Sequence, residues 1–335
     1  MPSLKSYSTF GLEASCLSIY EFTDIPSFLS LYSSKQPVYL LGGGSNSIFT
    51  EDFDGKVLVN KIKGISHYDT PTDHHICVGA GENWHEFVTL CMRNGWYGLE
   101  NLALIPGSVG ASPIQNIGAY GREVNSFIDS VEFLMLSSGE CVRISNKDCN
   151  FGYRDSIFKH ALANKVLITH VNFKLPKQYP LETSYGELAE LSDATAVKIY
   201  EKVIEIRQKK LPDPEKLGNA GSFFKNPIIT RKVFDAIKAN YVKVPHFIVC
   251  DYSQHENGVK VPAAWLIEQA GFKGATLNQV RCHPTQPLVL TNLGGAAGED
   301  VIAMAKDIIT TVRHKFGIEL EPEVRLLGNK GLISL

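Results

Sequence analysis

The run Val38-Tyr39-Leu40-Leu41-Gly42-Gly43-Gly44-Ser45-Asn46 constrains this chain more than any other stretch. Four apolar residues read as a buried strand, and three consecutive glycines end it abruptly. Such a turn either needs positive φ or brings backbone against something that a side chain would hold away. A second glycine-rich stretch covers residues 98–121, rich in Gly, Ala, Ser, Pro and Asn and with little helical period. It is too long for a passive connector, and long irregular segments inside compact domains are usually functional. Neither stretch is a standard nucleotide signature. Ser47 occupies the last glycine position of a G-x-G-x-x-G motif, the simple βαβ setting is missing, and the only Gly-Lys pair, Gly55-Lys56, lacks the earlier glycine of a phosphate loop. A single glycine turn is more often just a tight turn. Two side-chain-poor turns, each presenting backbone N–H groups, point instead to the pyrophosphate of a dinucleotide.

Around these turns the pattern is that of an enzyme of two or three domains, given 335 residues with 44% hydrophobic and 20% charged. The net charge of −2, without a Lys/Arg run, excludes a nucleic-acid partner and an anionic membrane surface as expectations. Met1 to Tyr7 have no signal-like apolar stretch, and no window reaches bilayer length, so a cytoplasmic protein without membrane insertion is expected. Cys16, Cys77, Cys91, Cys141, Cys149, Cys250 and Cys282 are odd in number and scattered, without C-x-x-C. With no H-E-x-x-H either, reduced thiols and no metal are expected. Strands are expected at 56–59, 75–81 with its turn, 131–136, 166–174 and 320–327. Helices are expected from Asn83-x-x-Glu86 to Arg93 with an Asn94-Gly95 stop, and near 231–239. Another is expected from Pro262 in its first turn to Gly271, and another at 299–316 with Gly317 as stop. The helix at 195–209 shows an apolar face of Val197, Tyr200, Val203 and Ile204, widened by Ile199 and Ile206. Leu211-Pro212-Asp213-Pro214 breaks it and marks a domain boundary.

The two turns, LGGGSN (41–46) and IPGSVGASPIQNIGAYG (105–121), resemble the flavin-binding region of vanillyl-alcohol oxidase (PCMH) type proteins. YSTFGLEA, GLENLALIPGSVGA, FGYRDSIFK, KLPDP, GNAGSFFKNP, KVPAAWLIEQAG and LEPEVRLLG follow in order over nearly the whole chain. With them the sequence is similar, more narrowly, to the UDP-N-acetylenolpyruvoylglucosamine reductase family, and SPIQN with TSYGEL resembles its type I branch. The resemblance implies an α+β flavoprotein in three parts: an FAD-binding α/β lobe at 1–63 rejoined by about 318–335, a second FAD-binding lobe at 64–207, and a substrate-binding α+β domain at 212–317. It implies FAD, with its pyrophosphate at Gly42, Gly43, Gly44, Ser45, Asn46, Gly107, Ser108, Val109 and Gly110 and its ring near Gly118, Ala119 and Tyr120. It also implies NADPH as co-substrate in a ping-pong reaction that makes UDP-N-acetylmuramate for peptidoglycan. A monomer acting on small molecules is expected.

Hydride addition to an enol ether conjugated to a carboxylate leaves negative charge that spreads into that carboxylate. The reaction needs a cation or hydrogen-bond donors at the carboxylate and a proton donor beside the carbanion. By resemblance, Arg154 activates the substrate, Ser222 donates the proton and Glu323 polarises the enolpyruvyl group. Tyr185, Lys210, Asn226 and Gln286 then contact the sugar nucleotide. Without the resemblance, each has a duller reading. Arg154 would pair with Asp155 at the surface, Ser222 would cap or turn, and Glu323 would point to solvent from a strand. Lys210 would end its helix, and Tyr185 would pack in a loop. Trp265, Leu266 and Ile267 read as core, and His283 as a structural histidine. An oxidase of the same flavin fold and a sugar-nucleotide sensor that has lost catalysis are the rival readings.

Overall fold

The computed structural model describes residues 1–249 and 258–335; Cys250 lies outside the described residues. The chain forms two compact units. One consists of Met1–Leu17, Gly44–Gly55 and Lys210–Leu335, the other of Ser18–Gly43 and Lys56–Lys209. We call them the first and second units.

The second unit is built on a five-stranded antiparallel sheet in the order Cys141–Ser145, Ile128–Met135, Val166–Pro176, Asp73–Gly79, Ile65–Asp69. Its central strand Val166–Pro176 is rich in Val, Ile, Leu and Phe and buried along most of its length, as a strand covered on both faces must be. Phe173 from it meets Phe87 with ring centroids 5.0 Å apart, and Trp84 and Phe87 carry the helix Trp84–Asn94 onto the sheet. That helix begins where the Asn83 side chain accepts the Glu86 N–H at 3.0 Å and ends at Gly95 with φ 73°. The helix Ala196–Lys210 corrects one expectation: Val197 is 43% exposed, and Ala196, Ile199, Val203 and Ile206 are the buried residues. Ile199, Val203 and Ile206 recur at i, i+4 and i+7, whereas Val197 lies about 200° around the helix from Ile199. A smaller cluster of Phe22, Phe28, Leu58, Ile62, Leu134 and Leu167 sits beside the strand Val38–Leu41, which runs parallel to Phe53–Asn60 with Leu41 opposite Val59.

The first unit combines a four-stranded antiparallel sheet with two three-stranded ones. The first runs Gly218–Ser222, Val289–Asn292, Val280–Cys282, Thr276–Leu277. The second runs Ile228–Ile229, Gly258–Lys260, Phe247–Val249. The third places Arg325–Gly328 between Gly331–Ile333 and the parallel strand Ser47–Phe49. The helix Gly298–Phe316 buries Val301, Met304, Ala305, Ile308 and Val312 in a core shared with Phe223, Phe224, Leu266 and Ile267. Glu299 and Asp300 lie in its first turn, Arg313, His314 and Lys315 in its last, and Gly317 at φ 67° stops it. Two expectations are corrected here. Pro262 is the N-cap of the helix Ala263–Gln269 rather than a residue of its first turn. Residues 320–324 precede the last strands: Pro322 makes an isolated antiparallel bridge with Phe224, and the chain bends at Val324 before Arg325–Gly328. Among the described residues Cys16, Cys77, Cys91, Cys141, Cys149 and Cys282 form no disulfide. No helix of the described residues is long and apolar enough to cross a membrane.

Gly298 is buried at the start of its helix, and a Cβ there would lie 1.9 Å from the Thr50 carbonyl oxygen. Backbone cannot yield as a side chain does, so Gly298→Ala is expected to destabilise the protein by roughly 2–4 kcal/mol. An unchanged urea midpoint would show that the helix start can shift freely.

Candidate active site

In the second unit the two glycine turns touch. A Cβ on Gly43 would lie 2.8 Å from Gly107 Cα, and one on Gly42 would lie 2.5 Å from the Ser108 hydroxyl oxygen. The second turn is pinned from behind, because Val109 N–H donates to the Glu82 carbonyl and Gly110 N–H to the Ala80 carbonyl, both at 2.9 Å. The N–H groups of those two residues are thus engaged by the chain itself. Among the described residues, the N–H groups of Gly43, Gly107 and Ser108 have no protein partner. A group of such N–H donors is an anion-binding concavity.

Tyr120, which follows the second turn, and Arg154, further along the chain, both stand in strained backbone. Leu104, Asn116, Tyr120 and Arg154 all have positive φ, between 45° and 56°. Strain of this kind collects where surrounding structure over-determines the chain. Arg154 sits at the tip of a turn closed by Gly152 and Asp155 hydrogen bonds of 3.0 and 3.2 Å. Its guanidinium donates to the carbonyls of Gly118 at 2.6 Å and Asn116 at 3.4 Å. Asp155 instead pairs with His160 at 2.8 Å. Gly118, paired through Ala119 with Arg122–Glu123, must be glycine for this approach, since a Cβ would lie 2.9 Å from an Arg154 nitrogen. The ring of Tyr120 meets Tyr185 edge-on at 6.1 Å, so the expected ring-side residue and the expected loop tyrosine are neighbours.

The sequence reading missed three residues here. Asn101 is buried, and its amide nitrogen donates to the Tyr120 and Glu182 carbonyls, both at 2.9 Å. This leaves its Oδ1 buried with no partner among the described residues. Arg207 donates to the Leu104 carbonyl at 3.2 Å and bonds the Tyr120 hydroxyl. Burial pulls the Arg207 guanidinium down and the Tyr120 phenol up, while the contact between them opposes both shifts. His85 Nδ1 accepts the Leu104 N–H at 3.1 Å, and burial, followed by the Arg207 charge, lowers its pKa. In the sequence Leu99-Glu100-Asn101-Leu102, nothing marks Asn101 as buried.

In the first unit, residues 223–225 and 321–323 pair as antiparallel backbone. Glu323 N–H donates to the Phe223 carbonyl at 2.7 Å and Lys225 N–H to the Glu321 carbonyl at 2.9 Å. This places Glu323 beside the strand end that carries Ser222. Asn46 ties into the same place, its amide donating to the Glu323 carbonyl at 3.2 Å and its carbonyl accepting the Arg325 N–H at 2.9 Å. Gly44, at φ 68°, is packed so closely that a Cβ would lie 2.0 Å from the Tyr7 carbonyl oxygen; Ser45 follows it into the half-buried turn. The Ser222 hydroxyl ends a strand, half-buried, and caps no helix; it makes no hydrogen bond with the described residues. The Asn226 side chain accepts the Ala263 N–H at 2.9 Å, orienting its amide. Gln286 lies in a turn fixed by His283 Nδ1, which accepts the Gln286 N–H at 3.2 Å; burial lowers the His283 pKa and keeps it a structural acceptor. Lys210 ends its helix exposed. Trp265 packs against the core, and Leu266 and Ile267 are buried in it.

The model of the UDP-N-acetylenolpyruvoylglucosamine reductase C-terminal domain matches residues 213–327, and an FAD-binding domain model matches 24–145. The UDP-N-acetylenolpyruvoylglucosamine reductase of Pseudoalteromonas atlantica is 48% identical, over 100% of this chain and 96% of its own. That of Pasteurella multocida is 44% identical, over 100% and 98%.

The chain belongs to the UDP-N-acetylenolpyruvoylglucosamine reductase family.

The crystal structure of the Thermus caldophilus reductase shares the fold at TM-score 0.66 and 22% identity, over 97% of each chain. As a family member, the protein is an α+β FAD-dependent oxidoreductase. The residues fit the cofactor. Within the second unit, unpartnered N–H groups suit a pyrophosphate, and the buried Asn101 Oδ1 suits a donor on a heteroaromatic ring.

Gly43→Ala would force the two turns apart while leaving both cores untouched. FAD retention should weaken about tenfold or more, equivalent to about 1.4 kcal/mol, as measured by flavin titration of the apoprotein; undiminished affinity would mean that the turn contact does not shape the site. A pH effect follows from His85. Its folded pKa lies below the usual 6.5. Its contribution to stability is therefore complete above that value and is lost as pH falls toward the folded pKa, because the unfolded chain then binds the extra proton. His85→Gln should flatten the fall in urea midpoint between neutral pH and about pH 5.

Proposed function

We propose that the protein reduces UDP-N-acetylglucosamine enolpyruvate to UDP-N-acetylmuramate, in peptidoglycan precursor synthesis, with Ser222 as proton donor and Arg154 and Glu323 as its catalytic partners. Bound FAD, reduced by NADPH, supplies the hydride. The observation that carries the residue assignment is the backbone pairing that seats Glu323 beside Ser222, with Asn46 bonded to the Glu323 carbonyl.

Each residue has a role that its geometry supports. Arg154 is held by carbonyls in strained backbone, so its guanidinium is preorganised for a carboxylate on which charge grows. Glu323 has its main-chain N–H and carbonyl both bonded, which fixes where its carboxyl can reach to polarise the enolpyruvyl group. The Ser222 hydroxyl is not committed to a cap or turn and can deliver its proton to the carbanion carbon. Lys210, Asn226, Gln286 and Tyr185 contact the diphosphate and sugar. In this reading residues 1–63, with about 318–335, and 64–207 hold the flavin, and 212–317 carry the sugar nucleotide. The protein acts as a cytoplasmic monomer on small molecules alone.

Stopped-flow half-reactions test the assignment. Ser222→Ala should leave flavin reduction by NADPH intact and slow reoxidation by the enolpyruvyl substrate about 10³-fold, within the usual range for a lost acid–base group. Arg154→Ala and Glu323→Gln should impair the same half-reaction. Equal losses in both half-reactions would make Ser222 structural, and unchanged reoxidation would remove Arg154 and Glu323 from the chemistry.

A further inference from the structure

One cluster of ligand-type side chains in the second unit lies among none of the residues given a role above. We propose that His67, Asp69 and His74 form a binding site for one divalent transition-metal ion of the zinc type, a site beyond the reductase reading. The strands Ile65–Asp69 and Asp73–Gly79 form a hairpin in which Asp69 lies opposite His74, and His67 shares the face of Asp69 two residues earlier. The connection is short and tied, with Thr70 N–H donating to the Asp73 carbonyl at 2.9 Å and Pro71 limiting its freedom.

One oxygen of Asp69 lies 3.0 Å from His67 Nε2 and 2.6 Å from His74 Nδ1, and the three ligand atoms lie within 4.8 Å of one another. That oxygen serves both imidazoles only if each turns an N–H toward it. With the opposite tautomers, three lone-pair donors face one point, an arrangement that a cation satisfies. Zinc–nitrogen and zinc–oxygen bonds of about 2.0–2.2 Å in a tetrahedron separate donors by roughly 3.4 Å, so the side chains need shift by less than about 1 Å to accept it. Two imidazoles and a carboxylate suit zinc, nickel or cobalt rather than calcium or magnesium.

The surroundings support the same choice. The Trp96 ring stacks on His67 with centroids 4.1 Å apart and fixes the imidazole plane. The His74 side chain is 14% exposed and His67 23%, while Asp69 at 49% leaves a side open to water as a fourth ligand. Lys177 stands 3.6 Å from the other Asp69 oxygen. It orients the carboxylate yet opposes a dication, which sets a moderate affinity. The spacing H-x-D-x₄-H is no standard metal signature, and only the hairpin register closes it.

The test is zinc titration of the chelator-treated, FAD-loaded protein by calorimetry. One Zn²⁺ should bind. His74→Ala and Asp69→Asn should each weaken binding at least about tenfold, since loss of a group that merely supports a ligand already costs about 10–100-fold. Cys141→Ser, which removes an exposed thiol, should leave binding unchanged. The visible flavin spectrum and the NADPH-driven reduction rate, unchanged in every variant, report intact folding, and His67→Gln gives a second, milder removal of a ligand. Absence of saturable binding, one-to-one binding indifferent to His74→Ala and His67→Gln, or loss of binding in Cys141→Ser would each overturn the proposal.

Discussion

The missing side chain at the contact of Gly43 with Gly107 is the constraint on which the candidate cofactor site rests. Two segments far apart in sequence bring backbone to backbone, at a distance where the smallest Cβ would already collide. The approach is held because the second turn cannot retreat. Its Val109 and Gly110 amides are bonded to Glu82 and Ala80, which follow directly from the sheet strand Asp73–Gly79. Asn83 and Trp84 then carry the chain into a helix whose aromatic residues pack on the central strand. A turn built on a rigid sheet and a capped helix can keep N–H groups pointed outward in water without collapsing onto itself.

The first unit uses backbone pairing for the same end. Residues 223–225 and 321–323 are irregular by local sequence, each interrupted by or next to proline, yet they hold one another through alternating hydrogen bonds. Phe223 and Phe224, buried just after the strand end, anchor the chain that follows Ser222, and the Phe223 carbonyl holds the Glu323 N–H. Asn46 joins the arrangement from the end of the glycine turn. The proposed proton donor and its carboxylate partner are thus positioned by main chain, which is stiffer than side-chain packing.

Features set by near neighbours were legible in the sequence. The strand Val38–Leu41, the Asn83 cap, the Gly95 stop and the Gly317 stop all stand where their local chemistry places them, because a cap or a positive-φ glycine acts over one turn of chain. The helix face around Val197 was misread because the helix carries apolar residues on two sides, and only the sheet beneath it selects Ile199, Val203 and Ile206. Residues 320–324 were misread as part of the last strand because their apolar alternation is real, while their pairing with residues 223–225 and a bend at Val324 separate them from Arg325–Gly328. The individual site residues were legible only through family resemblance. Arg154, Ser222 and Glu323 are each unremarkable in isolation, and the hydrogen bonds that position Arg154 and Glu323 join residues more than thirty positions apart.

Arg207 and Asn101 show what a sequence without resemblance would have hidden entirely. A partly buried guanidinium bonded to a phenol and a carbonyl lies among neutral groups, with no carboxylate partner among the described residues. Asn101 satisfies both its amide hydrogens on carbonyls and leaves a buried acceptor bare. Each carries a desolvation cost that folding alone does not recover. The cost is tolerable if a bound group completes it, and the complement required is specific: negative charge for the guanidinium and an N–H donor for the amide oxygen. FAD carries both, as phosphate and as ring imide. The bare Asn101 oxygen thus suits a ligand donor on grounds separate from the glycine turns, through hydrogen-bond satisfaction rather than backbone approach.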